Sequence, residues 1–260
     1  MSAGPRMTPR LAAGDTFAVA RRNLRHLIRT PQLLVFASIQ PVMFVLLFRY
    51  VFGGAIHPRG GIPYVDYLMP GIFVQTTLFG GAATAVGLAE DLRGGMIDRF
   101  RSLPMARSAV LAGRTLADLT RNVVVLALML AVGMAVGFRF QAGPLAAAGG
   151  LLLVLGFGYV FSWVFAAIAL YVKDPETAQV AGFLPLFPFI FASSAFVDVH
   201  TMPGWLQAFA DVQPVSVTMN AVRDLLLGRP AYHDVWQAIA WALGILVVGA
   251  AIAIRKYRRS

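Results

Sequence analysis

The sequence predicts an all-α polytopic membrane protein. Of its 260 residues, 58% are hydrophobic and 13% are charged, whereas a soluble domain has about 45–50% apolar and about 25% charged residues. The apolar residues form runs of about 20, the length that crosses a bilayer as a helix, and basic residues flank these runs. We expect six transmembrane helices, an N-terminal amphipathic interfacial helix, a cytoplasmic helix between spans two and three, and short outer re-entrant helices between spans five and six.

Six apolar segments are assigned as the spans. They cover residues 33–52, 68–89, 122–138, 144–172, 177–197 and 235–254. Proline inside a span frees a carbonyl that neighbouring helices can satisfy, so Pro41 is expected to kink the first span, and Pro185 with Pro188 the fifth. The chain is thus divided into three parts: a cytoplasmic N-terminal segment over 1–32, a membrane domain over 33–254 and a basic cytoplasmic tail over 255–260.

The distribution of basic residues predicts the orientation of the chain in the membrane. Seventeen of the 22 Lys and Arg residues lie before span one, between spans two and three, between spans four and five, or after span six. The other five are Arg49, Arg59, Arg139, Arg223 and Arg229. Cytoplasmic loops carry the excess of Lys and Arg, so both termini are predicted to be cytoplasmic. The preference for Arg over Lys indicates a GC-rich bacterial genome, and hence the bacterial inner membrane.

A basic amphipathic pattern precedes the first span. Over residues 15–30, apolar and basic side chains recur on opposite sides of a helix, as in helices that lie in the membrane interface beside anionic headgroups. The predicted interfacial residues are Phe17, Arg21, Arg22, Leu24, Arg25 and Arg29. The alternative is a solvated basic tail. No nucleic-acid motif accompanies the net charge of +10, so membrane lipids rather than nucleic acid are the expected partner.

The segment over residues 198–233 is too polar to span the membrane and too long for an ordinary loop. Pro203 and Pro214 stand where helices begin, and Gly228 stands where one ends. We therefore expect two short helices on the outer face, which re-enter the outer leaflet. The residues assigned to this outer segment are Pro203, Trp205, Phe209 and Pro214, with Leu206 and Leu225 to Leu227 as further leaflet contacts.

The sequence lacks the motifs that would supply energy or catalysis. There are no cysteines, which excludes disulfides, thiolate metal sites and a cysteine nucleophile. A phosphate-binding loop reads G-x-x-x-x-G-K-[ST], and neither Lys173 nor Lys256 stands in that context. No nucleophile elbow or metal-ligand spacing is present. We predict no catalytic residue, no metal site and no cofactor on this chain.

The placement of acidic residues bears on a second class of transporter. Ion-coupled carriers usually hold Asp, Glu or His within their spans, because a buried ionisable group is costly and is kept for function. Here all 12 acidic residues are predicted to lie in loops or at span boundaries. This pattern argues against an ion-coupled carrier, which stays an alternative together with a non-transporting membrane scaffold or sensor.

The basic segment over residues 90–104 is the main candidate for a functional site. Its acidic start favours a helix N-terminus, two glycines permit a bend, and charged residues alternate with apolar ones. A short amphipathic helix can enter the groove of a partner, here a separate motor subunit; the alternative is a charged loop that only fixes the topology. The candidate residues are Glu90, Asp91, Arg93, Gly94, Gly95, Met96, Asp98, Arg99, Arg101 and Pro104.

Four short stretches resemble the membrane subunits of type-2 ABC exporters, in particular the daunorubicin-resistance-type permeases. They are residues 48–54 (FRYVFGG), 67–71 (YLMPG), 90–99 (EDLRGGMIDR) and 202–206 (MPGWL). The resemblance implies that a coupling helix after span two docks into an ABC ATPase subunit, which holds ATP and Mg²⁺. It also implies that two permeases, identical or related, associate with two ATPase subunits. Where the family commonly has Asn-Pro-Val-Thr, this chain has Gln213-Pro214-Val215-Ser216.

The expectation that follows is a permease that exports a hydrophobic or amphipathic compound, such as a drug, a lipid or a glycolipid. The substrate path is predicted to run between facing protomers, lined by spans one, two and five. Its candidate residues are Gln40, Phe44, Gln75, Thr76, Phe79, Phe191, Ser193 and Ser194. Uncharged polar residues within spans more often bond neighbouring helices, which is the alternative for the Gln, Thr and Ser residues.

Overall fold

The computed structural model describes residues 31–58, 61–94, 107–172 and 174–259, and within these ranges the chain is helical with no strand. The helices are α1 (Pro31–Leu46) with a π-helical continuation (Leu47–Phe52), α2 (Tyr64–Arg93), α3 (Arg107–Ala135), α4 (Pro144–Val172), α5 (Pro175–Phe183), α6 (Leu186–Phe191), α7 (Gly204–Val212), α8 (Pro214–Leu227) and α9 (Tyr232–Arg259). A 3₁₀ turn (Val199–Thr201) precedes α7. The predicted all-α class is confirmed.

Among the described residues, four helices are long and apolar enough to cross a membrane. They are Tyr64–Arg93, Gly113–Ala135, Pro144–Val172 and Tyr232–Tyr257, and they correspond to the predicted spans two, three, four and six. The first predicted span contains a shorter apolar helix, Ser38–Phe52. The chain is thus a membrane protein by the length and composition of its helices, whereas the count of six spans stays a prediction.

The fifth apolar segment differs from the single helix predicted over residues 177–197. α5 ends at Phe183, α6 begins at Leu186, and the chain turns after Phe191. Pro185 stands at the break. Because proline has no N–H and its ring clashes with the preceding helical turn, a helix rarely continues through it undisturbed. The kink predicted at Pro185 is therefore a break between two short helices.

α2 forms the centre of the fold and packs against α3, α4, α5 and α8. Residues 64–78 are all buried, and no charged residue lies between Asp66 and Glu90. A helix that is apolar all round is a buried helix, so the sequence of α2 explains its central position. Gly158 lets α4 approach α2 closely. A Cβ at this position would lie only 2.7 Å from the Cβ of Thr77, so a larger residue would push the two helices apart.

α9 lies at the edge of the bundle, where it packs on α4 and α8. It leaves large apolar side chains such as Trp241, Val247 and Val248 exposed. Contiguous exposed apolar surface marks a contact with membrane or protein. α9 is therefore suited to face lipid along most of its length.

The outer segment has the helix boundaries that the sequence predicts. Pro203 precedes α7 and Pro214 opens α8, whose first turn is capped by the Gln213 side chain accepting from the Val215 N–H. Gly228 ends α8 with φ +68°, a left-handed conformation that glycine adopts without a Cβ clash. These predictions are confirmed.

The predicted leaflet contacts of the outer segment are only partly supported. Trp205 is 75% exposed and Phe209 is 39% exposed, as an interfacial position requires. Leu226 and Leu227 are instead buried within the protein, and Leu226 lies against Gly150 of α4. The prediction that these two leucines enter the leaflet is therefore wrong, because the apolar side of α8 faces the helix bundle.

Candidate functional site

Charged side chains, a threonine hydroxyl and two glycine carbonyls join α2 to α3 over the half of α2 that ends at Arg93. On α2 the participating positions are spaced four, three and four residues apart, which places them on one face of the helix. The partners on α3 follow the same spacing. We call this set the polar ladder; its members are Gly80, Thr84, Gly87 and Asp91 on α2 and Arg114, Asp118 and Arg121 on α3.

Arg114 and Asp118 make most of the contacts in the polar ladder. The Arg114 Nη1 donates to Asp91 Oδ2 at 3.0 Å and to the Gly87 carbonyl at 3.3 Å. The Thr84 hydroxyl donates to Asp118 Oδ2 at 2.7 Å. Arg121 donates to the Gly80 carbonyl and lies 3.6 Å from Asp118 Oδ1. Two arginines and two aspartates thus balance their charges: Asp118 is buried, the other three are partly buried, and ions removed from water need such partners.

Two acidic residues lie deeper in the fold than the sequence predicts. Asp118 falls within the candidate span Gly113–Ala135 and is 5% exposed. Asp66, in the first turn of α2, is also buried, where it accepts from the Arg139 N–H and from Gln141 Nε2, both at 3.1 Å. The prediction that all acidic residues lie in loops or at span boundaries is wrong for Asp118, whereas Asp66 lies at the boundary of its span, in the first turn of α2. The spacing Arg114-x₃-Asp118-x₂-Arg121 was the available signal, because such pairs meet on a helix face.

Eight phenylalanines form a continuous row across three parts of the fold. Neighbouring ring centroids are 4.3–6.4 Å apart, within the range of aromatic contact. The row joins α5 and α6 to α2 and then to α1 and its π-helical continuation. We call it the phenylalanine row, and its members in spatial order are Phe183, Phe79, Phe187, Phe191, Phe196, Phe44, Phe48 and Phe52. Several of these rings are close to half exposed.

A buried arginine joins the outer helix α8 to α2 and to the turn after α6. The Arg223 guanidinium lies 3.8 Å from the centroid of the Tyr67 ring. It donates to the Tyr67 carbonyl at 3.0 Å, to Asn220 Oδ1 at 2.8 Å and to the Ser194 carbonyl. The Tyr67 hydroxyl donates to the Val197 carbonyl at 2.8 Å. The sequence identified Arg223 only as a basic residue of the outer side, so this role was missed.

A family model described as "ABC-2 type transporter" matches residues 15–227. The chain belongs to this family. Its members are membrane subunits, so the prediction of a non-catalytic permease is confirmed by the family, as is the resemblance seen in the sequence.

Two relatives are similar to this ABC-2 permease over nearly its whole length. The "Daunorubicin resistance ABC transporter permease protein DrrB1" of Streptomyces coeruleorubidus is 34% identical over 258 residues, covering 99% of this chain and 91% of the relative. The "Probable doxorubicin resistance ABC transporter permease protein DrrC" of Mycobacterium tuberculosis is 27% identical over 257 residues, covering 99% and 93%. Both are drug-resistance permeases by name.

The start of the predicted coupling segment lies at the end of α2 in this ABC-2 permease, so the helix N-terminus predicted at its acidic start is wrong: α2 continues to Arg93. Glu90, Arg93 and Gly94 are exposed, whereas Asp91 is half-buried against Arg114. Arg93 Nη1 lies 3.8 Å from Asp174 Oδ1, in the turn between α4 and α5. The other predicted coupling and interfacial residues lie outside the described ranges: Gly95, Met96, Asp98, Arg99, Arg101, Pro104, Phe17, Arg21, Arg22, Leu24, Arg25 and Arg29.

Asp174 fixes the start of α5. Its Oδ2 accepts from the Thr177 N–H at 2.9 Å and from the Thr177 hydroxyl at 2.8 Å, and Pro175 occupies the first turn. These hydrogen bonds hold the pKa of the Asp174 carboxyl below its usual value, and the bond from the Thr177 N–H has the larger effect. The end of α2 and the start of α5 therefore meet through the Arg93–Asp174 ion pair.

The predicted path residues divide into two groups. Phe44, Phe79 and Phe191 belong to the phenylalanine row, and Gln40 is exposed on α1. The four others are buried within the described chain: Gln75, Thr76, Ser193 and Ser194. Thr76 donates to the Ile72 carbonyl, Ser193 to the Ile190 carbonyl, and Ser194 to Asn220 Oδ1. Polar residues in spans commonly make such bonds within the protein.

Metal binding finds no support in the part of the chain that the structure describes. There, no group of three or more His, Cys, Asp or Glu side chains is arranged to hold a metal ion. The acidic residues of the polar ladder are instead taken up by arginine and threonine donors.

Proposed function

We propose that this ABC-2 permease is the membrane subunit of an ATP-driven exporter in the bacterial inner membrane. It moves a hydrophobic or amphipathic compound outward, and a separate ABC ATPase subunit binds ATP and Mg²⁺. A second permease copy, identical or related, completes the membrane part. Family membership and the names of the relatives support the transporter class. The phenylalanine row is the observation that carries the substrate class.

The phenylalanine row supports an apolar path for three reasons. It is continuous, it contains no charged side chain, and rings such as Phe187 and Phe191 are 44% and 45% exposed. Aromatic faces bind apolar and planar groups through large contact areas without a fixed hydrogen-bond pattern. The row also follows the three predicted path segments, spans one, two and five. A second permease facing this surface would enclose the path between protomers.

The proposed topology has six spans with both termini in the cytoplasm. α1 with its π-helical continuation would be the first span, and the broken pair α5 and α6 would be the fifth. The Arg93–Asp174 contact supports this arrangement, since it brings the end of span two and the end of span four to the same side. The excess of basic residues on that side supports its assignment as cytoplasmic.

The proposed docking site for the ATPase is the segment over residues 90–104, with the N-terminal interfacial helix as a lever beside it. Exposed Glu90 and Arg93 at the end of α2 are consistent with a partner beyond them. The test is co-purification of tagged permease with the ATPase, wild type against Arg99→Glu with Arg101→Glu. Arg229→Glu, an exposed charge on the predicted outer side, is the matched control. We expect capture to be lost only in the double variant; equal capture by all three would contradict docking at this segment.

The substrate class is tested with daunorubicin as a fluorescent probe in vesicles that contain the permease and the ATPase. Phe191→Ala removes a half-exposed ring of the row, and aromatic contacts contribute about 0.5–1.5 kcal/mol each, so transport at limiting drug concentration should fall several-fold. Trp241→Ala, an equally exposed aromatic on α9, should leave transport unchanged. Equal losses in both variants would show that the row has no special role in the path.

Two alternatives predict different energetics in the same vesicles. An ion-coupled carrier would lose transport when the proton gradient collapses and would not respond to ATP depletion. A scaffold or sensor would bind its partner and give no flux. Loss of flux on ATP depletion, with the gradient intact, is the result expected of the exporter.

A further inference from the structure

We propose that the polar ladder transmits displacement of the segment after α2 into the middle of the membrane domain, with Arg114 and Asp118 as its positioning residues. This inference rests on the proposed function, because the displacement would come from the ATPase. The polar ladder begins at Asp91, within the predicted coupling segment, and ends at Gly80 near the centre of α2. It therefore connects the two regions that a motor-driven permease must link.

The length and repetition of the contacts suit this role. Residues 80–91 of α2 span about 16 Å along the helix axis, and α3 contacts this face at each turn through Arg114, Asp118 or Arg121. Asp118 has three partners: it accepts a hydrogen bond from the Thr84 hydroxyl, and it forms ion pairs with Arg114 at 3.8 Å and with Arg121 at 3.6 Å. One helix cannot slide past the other without breaking several charge-assisted hydrogen bonds at once. The inner halves of α2 and α3 therefore move as one body.

Stability alone gives little reason for charges at this interface. Well-packed apolar residues in place of a buried ion pair are often equally or more stabilising, and small apolar residues are the usual contact between membrane helices. Directional hydrogen bonds instead restrict an interface to a few discrete arrangements, the property that transmission between distant sites requires.

Two glycines make room for the polar ladder on α2. A Cβ at Gly87 would collide with the Arg114 guanidinium, and a Cβ at Gly80 would collide with Asn122 Oδ1. The amide nitrogen of Asn122 lies 3.3 Å from the Cβ position of Gly158 on α4. The upper end of the polar ladder thus lies where α2, α3 and α4 meet.

A second contact carries the same displacement toward the phenylalanine row. Arg93, two residues after Asp91, pairs with Asp174, and Asp174 caps α5. α5 ends at Phe183, whose ring centroid is 5.3 Å from that of Phe79. Movement at the end of α2 would therefore reach both the centre of the bundle and the first ring of the row.

The test measures whether ATP moves the membrane domain. Because the chain has no cysteine, spin labels can be attached at Val124→Cys on α3 and Val180→Cys on α5, both exposed, in the full permease–ATPase complex. The distance between the labels is measured without and with ATP. Capture of the ATPase by the labelled wild type is measured first, and its absence would contradict the proposed function itself.

Two matched pairs of variants then separate transmission from simple packing. Asp118→Asn is compared with Asp66→Asn, a buried carboxylate near the other end of α2 that accepts two hydrogen bonds. Gly87→Ala, which intrudes on Arg114, is compared with Gly149→Ala, whose added Cβ meets no atom within 4 Å. Arg114→Lys keeps the charge that Arg114→Gln removes, and should restore part of the response.

We expect Asp118→Asn, Gly87→Ala and Arg114→Gln to capture the ATPase and to lose the ATP-dependent distance change. Daunorubicin moved per ATP hydrolysed should fall about tenfold, within the range of ordinary coupling between sites. The two control variants should keep both responses even where their melting temperatures fall. Wild-type labels that do not respond to ATP, ladder variants that respond normally, or controls that fail equally would each overturn the proposal.

Discussion

Burial changes what a charged residue does in this protein. Asp118 and Arg223 look in the sequence like ordinary charges near apolar runs, yet both are buried, Asp118 with one hydrogen bond and two ion pairs and Arg223 with three hydrogen bonds. Glu90 carries a charge in the same segment as Asp91 but remains exposed. The residues that hold this fold together and those that are free to meet a partner therefore cannot be separated by charge alone.

Gly228 has a conformation that only glycine adopts at low cost. Its φ of +68° would make Gly228→Ala less stable by about 1–2 kcal/mol, the usual cost of a left-handed residue with a Cβ. The measurement is thermal unfolding in detergent. Gly244→Ala on α9, where an added Cβ meets no atom within 4 Å, should be neutral or slightly stabilising. Equal destabilisation of both would show that the left-handed turn is not the cause.

Asp174 is expected to give a pH-dependent contribution to stability. Its folded-state pKa lies below the ordinary value because the Thr177 N–H and hydroxyl bond the carboxylate, so its contribution is present above about pH 4 and is lost as pH falls through the folded pKa. Asp174→Asn should therefore lower the melting temperature at pH 7 and match wild type at lower pH. Thr177→Val should give part of this effect. A difference from wild type that does not change with pH would contradict the assignment.

At the scale of helices, proline, glycine and periodicity account for most of the boundaries. Pro203, Pro214 and Gly228 mark the ends of α7 and α8 as predicted, because their backbone chemistry acts locally. The break at Pro185 was expected only as a kink, since whether neighbours restore a helix after proline depends on packing. The sequence of α2 is apolar on all sides, which accounts for its position at the centre of the fold.

The attachment of α8 depends on Arg223. Arg223→Lys keeps the charge but loses the planar fork that donates to three acceptors and stacks on Tyr67. Loss of hydrogen bonds to a buried charge should lower the free energy of unfolding by roughly 1.5–3 kcal/mol. Limited proteolysis between residues 198 and 233 should also become faster. Arg229→Lys, at an exposed position, is the control, and equal proteolysis of both would contradict this role.

For the whole molecule, the proposed six-span topology makes a prediction about sidedness. In intact cells, a membrane-impermeant maleimide should label Arg229→Cys and leave Gly94→Cys unlabelled, because the two exposed positions lie on opposite sides of the proposed topology. The chain has no cysteine that could react instead. Lysed cells, in which both should be labelled, provide the control. Labelling of both positions in intact cells would contradict the cytoplasmic assignment of the segment after α2.

The sequence by itself determined the membrane class, four of the six assigned spans as long helices, the ends of the outer helices and the family. Each of these follows from composition, local periodicity or short motifs. Such features depend only on residues that are close together in the chain. The tertiary structure decided which charges are buried and which phenylalanines meet. Arg223 bonds Tyr67 from 156 residues away, and the phenylalanine row combines rings from α1, α2, α5 and α6. Such contacts depend on how helices pack, and no local pattern of residues specifies that packing.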